Sequence, residues 1–165
     1  MIAMKRVLVA TDFGEAAGIA LDYGKELART FGAALEVLHV CNNALTRGLG
    51  ADAYLANYAD FQREIEAEAH KQLDALLDDE ARTMLKAKTV LITSNAPAVA
   101  IVRHAAESGA DIILMGTHGR GALAHLLMGS VAERVVRLAP CPVLTVRHPE
   151  REFILPDALV AVVKA

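Results

Sequence analysis

The residues best suited to chemistry lie in one stretch, Met115 to Val136, which reads MGTHGRGALAHLLMGSVAERVV. Gly116, Gly119 and Gly121 come first, and Gly129 and Ser130 then stand where a helix should begin. Glycine lets backbone amides approach an anion closely. A helix N-terminus adds unpaired N–H groups and the positive end of the helix dipole. The Ser130 hydroxyl could donate to a phosphate oxygen, so the stretch can be read as an anion cradle. It can equally be read as scaffold. Ser130 and Glu133 spell an S-x-x-E capping box, and Gly116 and Gly119 suit turns. On the residues alone the two readings stand level.

Other candidates are fewer. Asp12, at the end of an apolar run, is a candidate polar contact for a ligand or its metal, although Asp12 to Glu15 is also a D-x-x-E helix-start pattern. His118 and His125 are seven apart with no carboxylate at ligand spacing, which argues against a dedicated metal site. Arg120 could help neutralise phosphate, but a solvated loop arginine is the commoner case. The acidic run Asp78 to Glu80 reads as a solvated helix end. The chain lacks a G-x4-G-K-[ST] loop, a G-x-G-x-x-G after its first strand and a G-x-S-x-G elbow. With no lysine in the glycine segment and no evident base to orient water, binding without rapid turnover is the expectation.

Five short apolar runs rich in β-branched residues must position these groups: Arg6 to Ala10, Leu35 to Val40, Lys88 to Thr93, Asp111 to Met115 and Pro142 to Arg147. Helical periodicity fills the gaps. Ala17, Ala20, Leu21, Gly24, Leu27, Ala28 and Phe31 form one stripe. Phe61, Ile65, Ala69, Leu73, Leu76 and Leu77 form another on a helix expected from Tyr58 to Met84. A third helix starts at Pro97, carries Ile101, Val102 and Ala105, and stops near Gly109. A fourth runs from Ser130 through Val131, Val135 and Leu138 until Pro140 prevents continuation. This alternation predicts a three-layer α/β fold, a doubly wound five-stranded parallel sheet with right-handed crossovers. Ligands of such sheets bind beyond the carboxyl ends of the strands, where the winding reverses. The loops after the first and fourth strands are therefore the places for chemistry. Asn42 to Asn57 is the longest irregular stretch and could form a flap.

The bulk numbers agree with one such domain. The chain has 165 residues, 54% hydrophobic and 22% charged, with only 4% aromatics. A core of Ala, Val, Leu and Ile suits buried parallel strands under alanine-rich helices. The formal charge of −3 argues against nucleic acid as a partner. Cys41 and Cys141 make neither a metal framework nor a disulfide scaffold and read as buried thiols. The N-terminus has no signal-peptide core. The apolar tail, Phe153 to Val163, is interrupted by Pro156 and Asp157 and falls short of the roughly 20 residues that span a bilayer. A cytoplasmic protein without a membrane partner is expected.

The spacing G-x2-G-x9-G-S at Gly116, Gly119, Gly129 and Ser130 resembles the nucleotide signature of the ATP-binding universal stress proteins. ADIILMGTHGRG, LLMGSVAERVVR, CPVLTVR and the N-terminal VLVATDFGEAA look like the same family. Asn42 to Lys86 resembles it only in length and helical character. The resemblance implies a Rossmann-like adenine-nucleotide-binding fold with strand order 3-2-1-4-5 over residues 1–148. It places Ala10, Thr11 and Asp12 beside adenine and ribose, and Val40 against adenine through its backbone. Met115 and Gly116 would border the ribose. His118, Gly119, Gly129, Ser130 and Val131 would surround the phosphates. Two departures are Gly14, where the family often has Ser, and Asn95, where it commonly has Gly. Asn tolerates the left-handed backbone, so the same turn is expected there.

The function implied is a regulatory module that binds ATP, or ADP or AMP, with a Mg2+ or Mn2+ ion bridging the phosphates where one accompanies the nucleotide. Two alternatives are a slow ATP hydrolase or phosphotransferase using Asp12 to hold the metal, and a nucleotide-independent interaction protein. The resemblance also implies a homodimer through the fifth strand, whose apolar edge would seek a partner. Residues 149–165 form an extension whose Leu159 to Val163 reads as a further short strand, packing on the dimer partner or a sheet edge.

Overall fold

Strands and helices alternate as the periodicity requires. The computed structural model describes residues 3–43, 58–117 and 128–147. The strands are β1 (Arg6–Thr11), β2 (Ala34–Cys41), β3 (Lys88–Thr93), β4 (Ile112–Gly116) and β5 (Val143–Val146). The helices are α1 (Glu15–Phe31), α2 (Tyr58–Ala75), α3 (Asp79–Met84), α4 (Pro97–Ser108) and α5 (Ser130–Leu138). Every neighbouring strand pair is parallel, in the order β3-β2-β1-β4-β5. The expected α/β fold and strand order are therefore present.

The central strands are apolar on both faces because both faces are covered. Val7 and Val9 of β1 join Leu35 and Val37 of β2 under α1, the end of α2 and α3. The alternate residues Leu8, Ala10, Leu38 and Ile113 face α4 and α5. Each fully buried Val, Leu or Ile side chain among them contributes ~1.5–3 kcal/mol relative to exposure. Helix α1 seats closely because Gly24 faces β1, and a Cβ there would lie 2.5 Å from Val9 Cγ2. Gly32 and Gly109 end α1 and α4 in the left-handed conformation, at φ 64° and 67°.

Four sequence expectations about these elements need correction. The single helix from Tyr58 to Met84 is two helices. The side chain of Asp78 accepts from the Ala81 amide at 2.7 Å and caps α3, so the acidic run is a helix start rather than an end. The buried stripe of this segment holds at Ala69, Leu73 and Leu77, but Phe61 is 41% exposed and Gln62 points inward in its place. Cys41 is buried as expected, but Cys141 only partly. Among the described residues no helix is long and apolar enough to cross a membrane. Residues 44–57 of the expected flap, and the tail strand Leu159 to Val163, lie outside the described residues.

Candidate functional site

Strand β1 pairs with β2 on one side and with β4 on the other, so the winding reverses between β1 and β4. A cavity of about 470 Å³ opens there, at the carboxyl ends of the strands. That volume is within the range of small-molecule sites. Leu38, Val40, Pro97, Ile101 and Met115 give it an apolar floor, while Thr11, Asp12, His39, Thr117 and Ser130 supply polar groups. Nine sequence-predicted residues border it: Ala10, Thr11, Asp12, Val40, Met115, Gly116, Gly129, Ser130 and Val131. His118 and Gly119 lie outside the described residues.

The β1–α1 loop is built from its own side chains. Thr11 Oγ1 accepts from the Phe13 amide and Asp12 Oδ1 from the Gly14 amide, each at 3.0 Å. Short polar side chains make such local turns in place of regular structure. Phe13 takes φ 65°, which is uncommon for a bulky residue. Asp12 is not the cap of α1, because that position belongs to Gly14. A Cβ on Gly14 would meet Asp12 Oδ1 at 3.0 Å, so glycine leaves room for the aspartate turn.

Three helices reach the cavity with their first turns: α1 at Ala17, α4 at Pro97 and α5 at Ser130. Their N-caps are Gly14, Ala96 and Gly129, and none makes a side-chain cap hydrogen bond. Helix α3, which does not border the cavity, has its cap in Asp78. The first amides of a helix lack partners within it, and among the described residues no N-cap side chain takes them up at these three ends, which border one space.

The proposed capping box is not formed. Ser130 is the first residue inside α5, and the Glu133 carboxylate instead accepts from Arg137 at 2.9 Å. The Gly129 amide donates to the Thr117 carbonyl at 2.7 Å, and the Thr117 amide donates to the Val146 carbonyl at 2.7 Å. The ends of the glycine segment are thereby tied to each other and to β5. Gly129 serves this closure, while Ser130 is exposed at the cavity rim.

Gly116 also has a packing role that sequence reasoning did not find. A Cβ on it would lie 2.8 Å from the Cβ of Ala16 and 3.2 Å from the Ala17 amide nitrogen. The expected left-handed turn at Asn95 is absent. Among described non-glycine residues only Phe13 and Lys86 have positive φ, and Asn95 Oδ1 instead accepts from the Asn43 amide at 3.0 Å. Sequence reasoning also missed Leu38, His39, Thr117 and the placement of Pro97 and Ile101. Strand alternation from Val40 could have found Leu38. Nothing local marks His39.

Among the described residues the buried charge lies elsewhere. Glu36, on β2, is 4% exposed and meets Lys88 Nζ and His104 Nε2, each at 2.8 Å. Burial works to raise its pKa, but the hydrogen bonds and charges of Lys88 and His104 outweigh that and hold the carboxyl below its ordinary value. Glu36 pairs in register with Lys88, the first residue of β3, at the end of the strands away from the cavity. Among the described residues no cluster of His, Cys, Asp or Glu is placed to hold a metal ion.

A doubly wound parallel sheet with a cleft at its switch point, rimmed by helix N-termini, defines a Rossmann-like α/β protein. A sequence model of the universal stress protein family matches residues 4–147. The chain belongs to the universal stress protein family. Universal stress protein MJ0531 of Methanocaldococcus jannaschii is 31% identical over 148 residues, covering 90% of this chain and 85% of that protein. The solved structure of MJ0577, from the same organism, superposes with a TM-score of 0.75 at 26% identity, covering 91% of this chain and 100% of that one. A universal stress protein from Archaeoglobus fulgidus in complex with dAMP shares the fold, with a TM-score of 0.59 at 24% identity, covering 88% of this chain and 99% of that one.

Proposed function

We propose that the cavity binds an adenine nucleotide, ATP foremost, and that the protein is a regulatory nucleotide-binding module. One observation carries the reading: three helices border the cavity with first turns that, among the described residues, no N-cap side chain caps, while α3, away from it, carries a side-chain cap. Converging amide dipoles favour a polyanion such as a phosphate chain. The apolar floor of Leu38, Val40, Ile101 and Met115 suits a planar base. A neighbour of the same fold holds dAMP, so the fold accommodates an adenine mononucleotide.

In this reading Ala10, Thr11, Asp12 and Val40 meet adenine and ribose, with Met115 and Gly116 beside the ribose. Ser130 and Val131, together with His118, Gly119 and Gly129, surround the phosphates. A Mg2+ or Mn2+ ion travels with the nucleotide, and Asp12 is the carboxylate among the described cavity residues that would meet it. Titration calorimetry with ATP and Mg2+ tests the function, and absence of binding at millimolar nucleotide overturns it. The mass of any nucleotide released from freshly purified, denatured protein identifies which adenine nucleotide is held.

We also infer a homodimer through β5. Among the described residues this strand has β4 as its one strand neighbour, and Leu144 on it is 38% exposed. Val136 and Leu138 of α5 add exposed apolar surface. An unpaired apolar edge is a template for a second strand.

A further inference from the structure

We propose that His39 is a positioning residue, which holds the β1–α1 loop in the form that keeps Asp12 at the nucleotide cavity. The inference rests on the nucleotide reading above and names a residue on which that site depends.

His39 stands opposite Thr11 in the β1–β2 register. Its Nδ1 lies 2.8 Å from the Thr11 carbonyl oxygen. A carbonyl oxygen can only accept, so Nδ1 carries the hydrogen and donates, whether the ring is neutral or charged. The tautomer is fixed by the backbone it holds. The same ring lies against Phe13, with centroids 4.3 Å apart and planes at 37°. One imidazole therefore touches the residues on both sides of Asp12.

The conformation held in this way is one the chain would not choose unaided. Phe13 sits at φ 65°, where glycine or asparagine is the easier occupant. A bulky side chain persists in that region only where its surroundings over-determine it. Here Thr11 Oγ1 and Asp12 Oδ1 tie down the two following amides from within the loop, and His39 adds the tie from the neighbouring strand. Simple core packing explains part of the Phe13 contact, since the ring also borders the cluster under α1. It does not explain the hydrogen bond to Thr11, a residue that borders the cavity together with Asp12. With the loop fixed in advance, a ligand need not order it on binding, and preorganisation of this kind appears as affinity.

The test uses the full chain and ATP with Mg2+ in titration calorimetry, with circular dichroism as the check on folding. His39→Asn places an amide N–H near the position of Nδ1 and can still donate to Thr11. His39→Gln reaches instead toward the position of Nε2. The expected result is that His39→Asn binds within about threefold of wild type, while His39→Gln and His39→Leu are weaker by about tenfold, the scale of one hydrogen bond. In an Asp12→Ala background His39→Leu should cost no more than about a further twofold, because residues acting as one unit are not additive. His39→Asn and His39→Gln carry the test if His39→Leu does not fold. Equal affinities of these two variants, or the full His39→Leu loss persisting in the Asp12→Ala background, overturn the inference. The second outcome would mean that His39 meets the nucleotide itself. Wild-type protein that binds no ATP overturns the nucleotide reading and this inference with it.

Discussion

The Cα of Gly116, at the end of β4, faces the first turn of α1 so closely that a Cβ on it would stand 2.8 Å from the Cβ of Ala16. This contact fixes the height of α1 on the sheet, and with it the wall of the cavity formed by Ala17. A glycine that reads as a ligand-contacting residue in the sequence is also the joint between helix and sheet.

Gly116→Ala should therefore lose stability through overpacking, by about 1–3 kcal/mol. The contact is partly with the backbone of Ala16 and Ala17, which cannot rotate away. Adding Ala16→Gly should restore part of the loss and not all of it, because the 3.2 Å backbone contacts remain. Denaturant unfolding of the two single variants and the double variant measures this, and additive losses would contradict it.

Ser130→Ala separates the two readings of the glycine-serine segment. A capping serine replaced by alanine costs typically about 1 kcal/mol. Ser130 lies inside α5 and is exposed, so stability should change by less than about 0.5 kcal/mol. ATP affinity should nevertheless fall by about tenfold, the scale of a hydrogen bond to a charged oxygen. Thermal melts and calorimetry on the same preparation decide it. Lost stability with unchanged affinity would restore the capping role.

The fold was legible because its signals are local and repeated. Apolar runs covered on both faces mark β1, β2 and β4, and Gly109 with Pro97 brackets α4 almost to the residue. The cleft followed from topology, since the switch point lies beyond β1 and β4 whatever the loops contain. What escaped depends on contacts distant in sequence. His39 meets Thr11 from the next strand, and Gly116 meets Ala16 from a chain segment a hundred residues earlier. The division of α2 from α3 escaped for a different reason. Asp78 as a cap and Asp78 as a solvated residue look identical until the Ala81 amide is seen to point at it.

The β5 edge should govern association. Leu144→Lys places a charge on the exposed edge and should shift the protein from dimer to monomer mass at about 10 µM in sedimentation, because a charged edge resists pairing. ATP affinity should be little changed, since Leu144 does not line the cavity. Truncation after Arg151 should lower the melting temperature or the dimer fraction if residues beyond it pack on that edge or on the partner. Unchanged values in both would remove the tail from the interface.

Glu36 should make stability depend on acid. Its carboxyl titrates below the ordinary value in the fold, so the unfolded chain binds the proton more readily. The pairing with Lys88 and His104 then stabilises the protein fully above the unfolded carboxyl pKa of about 4.3. That contribution is lost as pH falls through the lower folded value. Glu36→Gln should be less stable than wild type by about 1–3 kcal/mol at pH 7, the scale of lost charged hydrogen bonds. The gap should close in acid, below about pH 4. The two partners should not contribute equally. His104 is 17% exposed and Lys88 61%, so His104→Leu should cost more than Lys88→Met, whose ammonium is largely in water already. Urea unfolding of the three variants across pH 3 to 7 tests both parts. A gap between wild type and Glu36→Gln that widens as pH falls would reverse the sign and remove the buried carboxylate from the account.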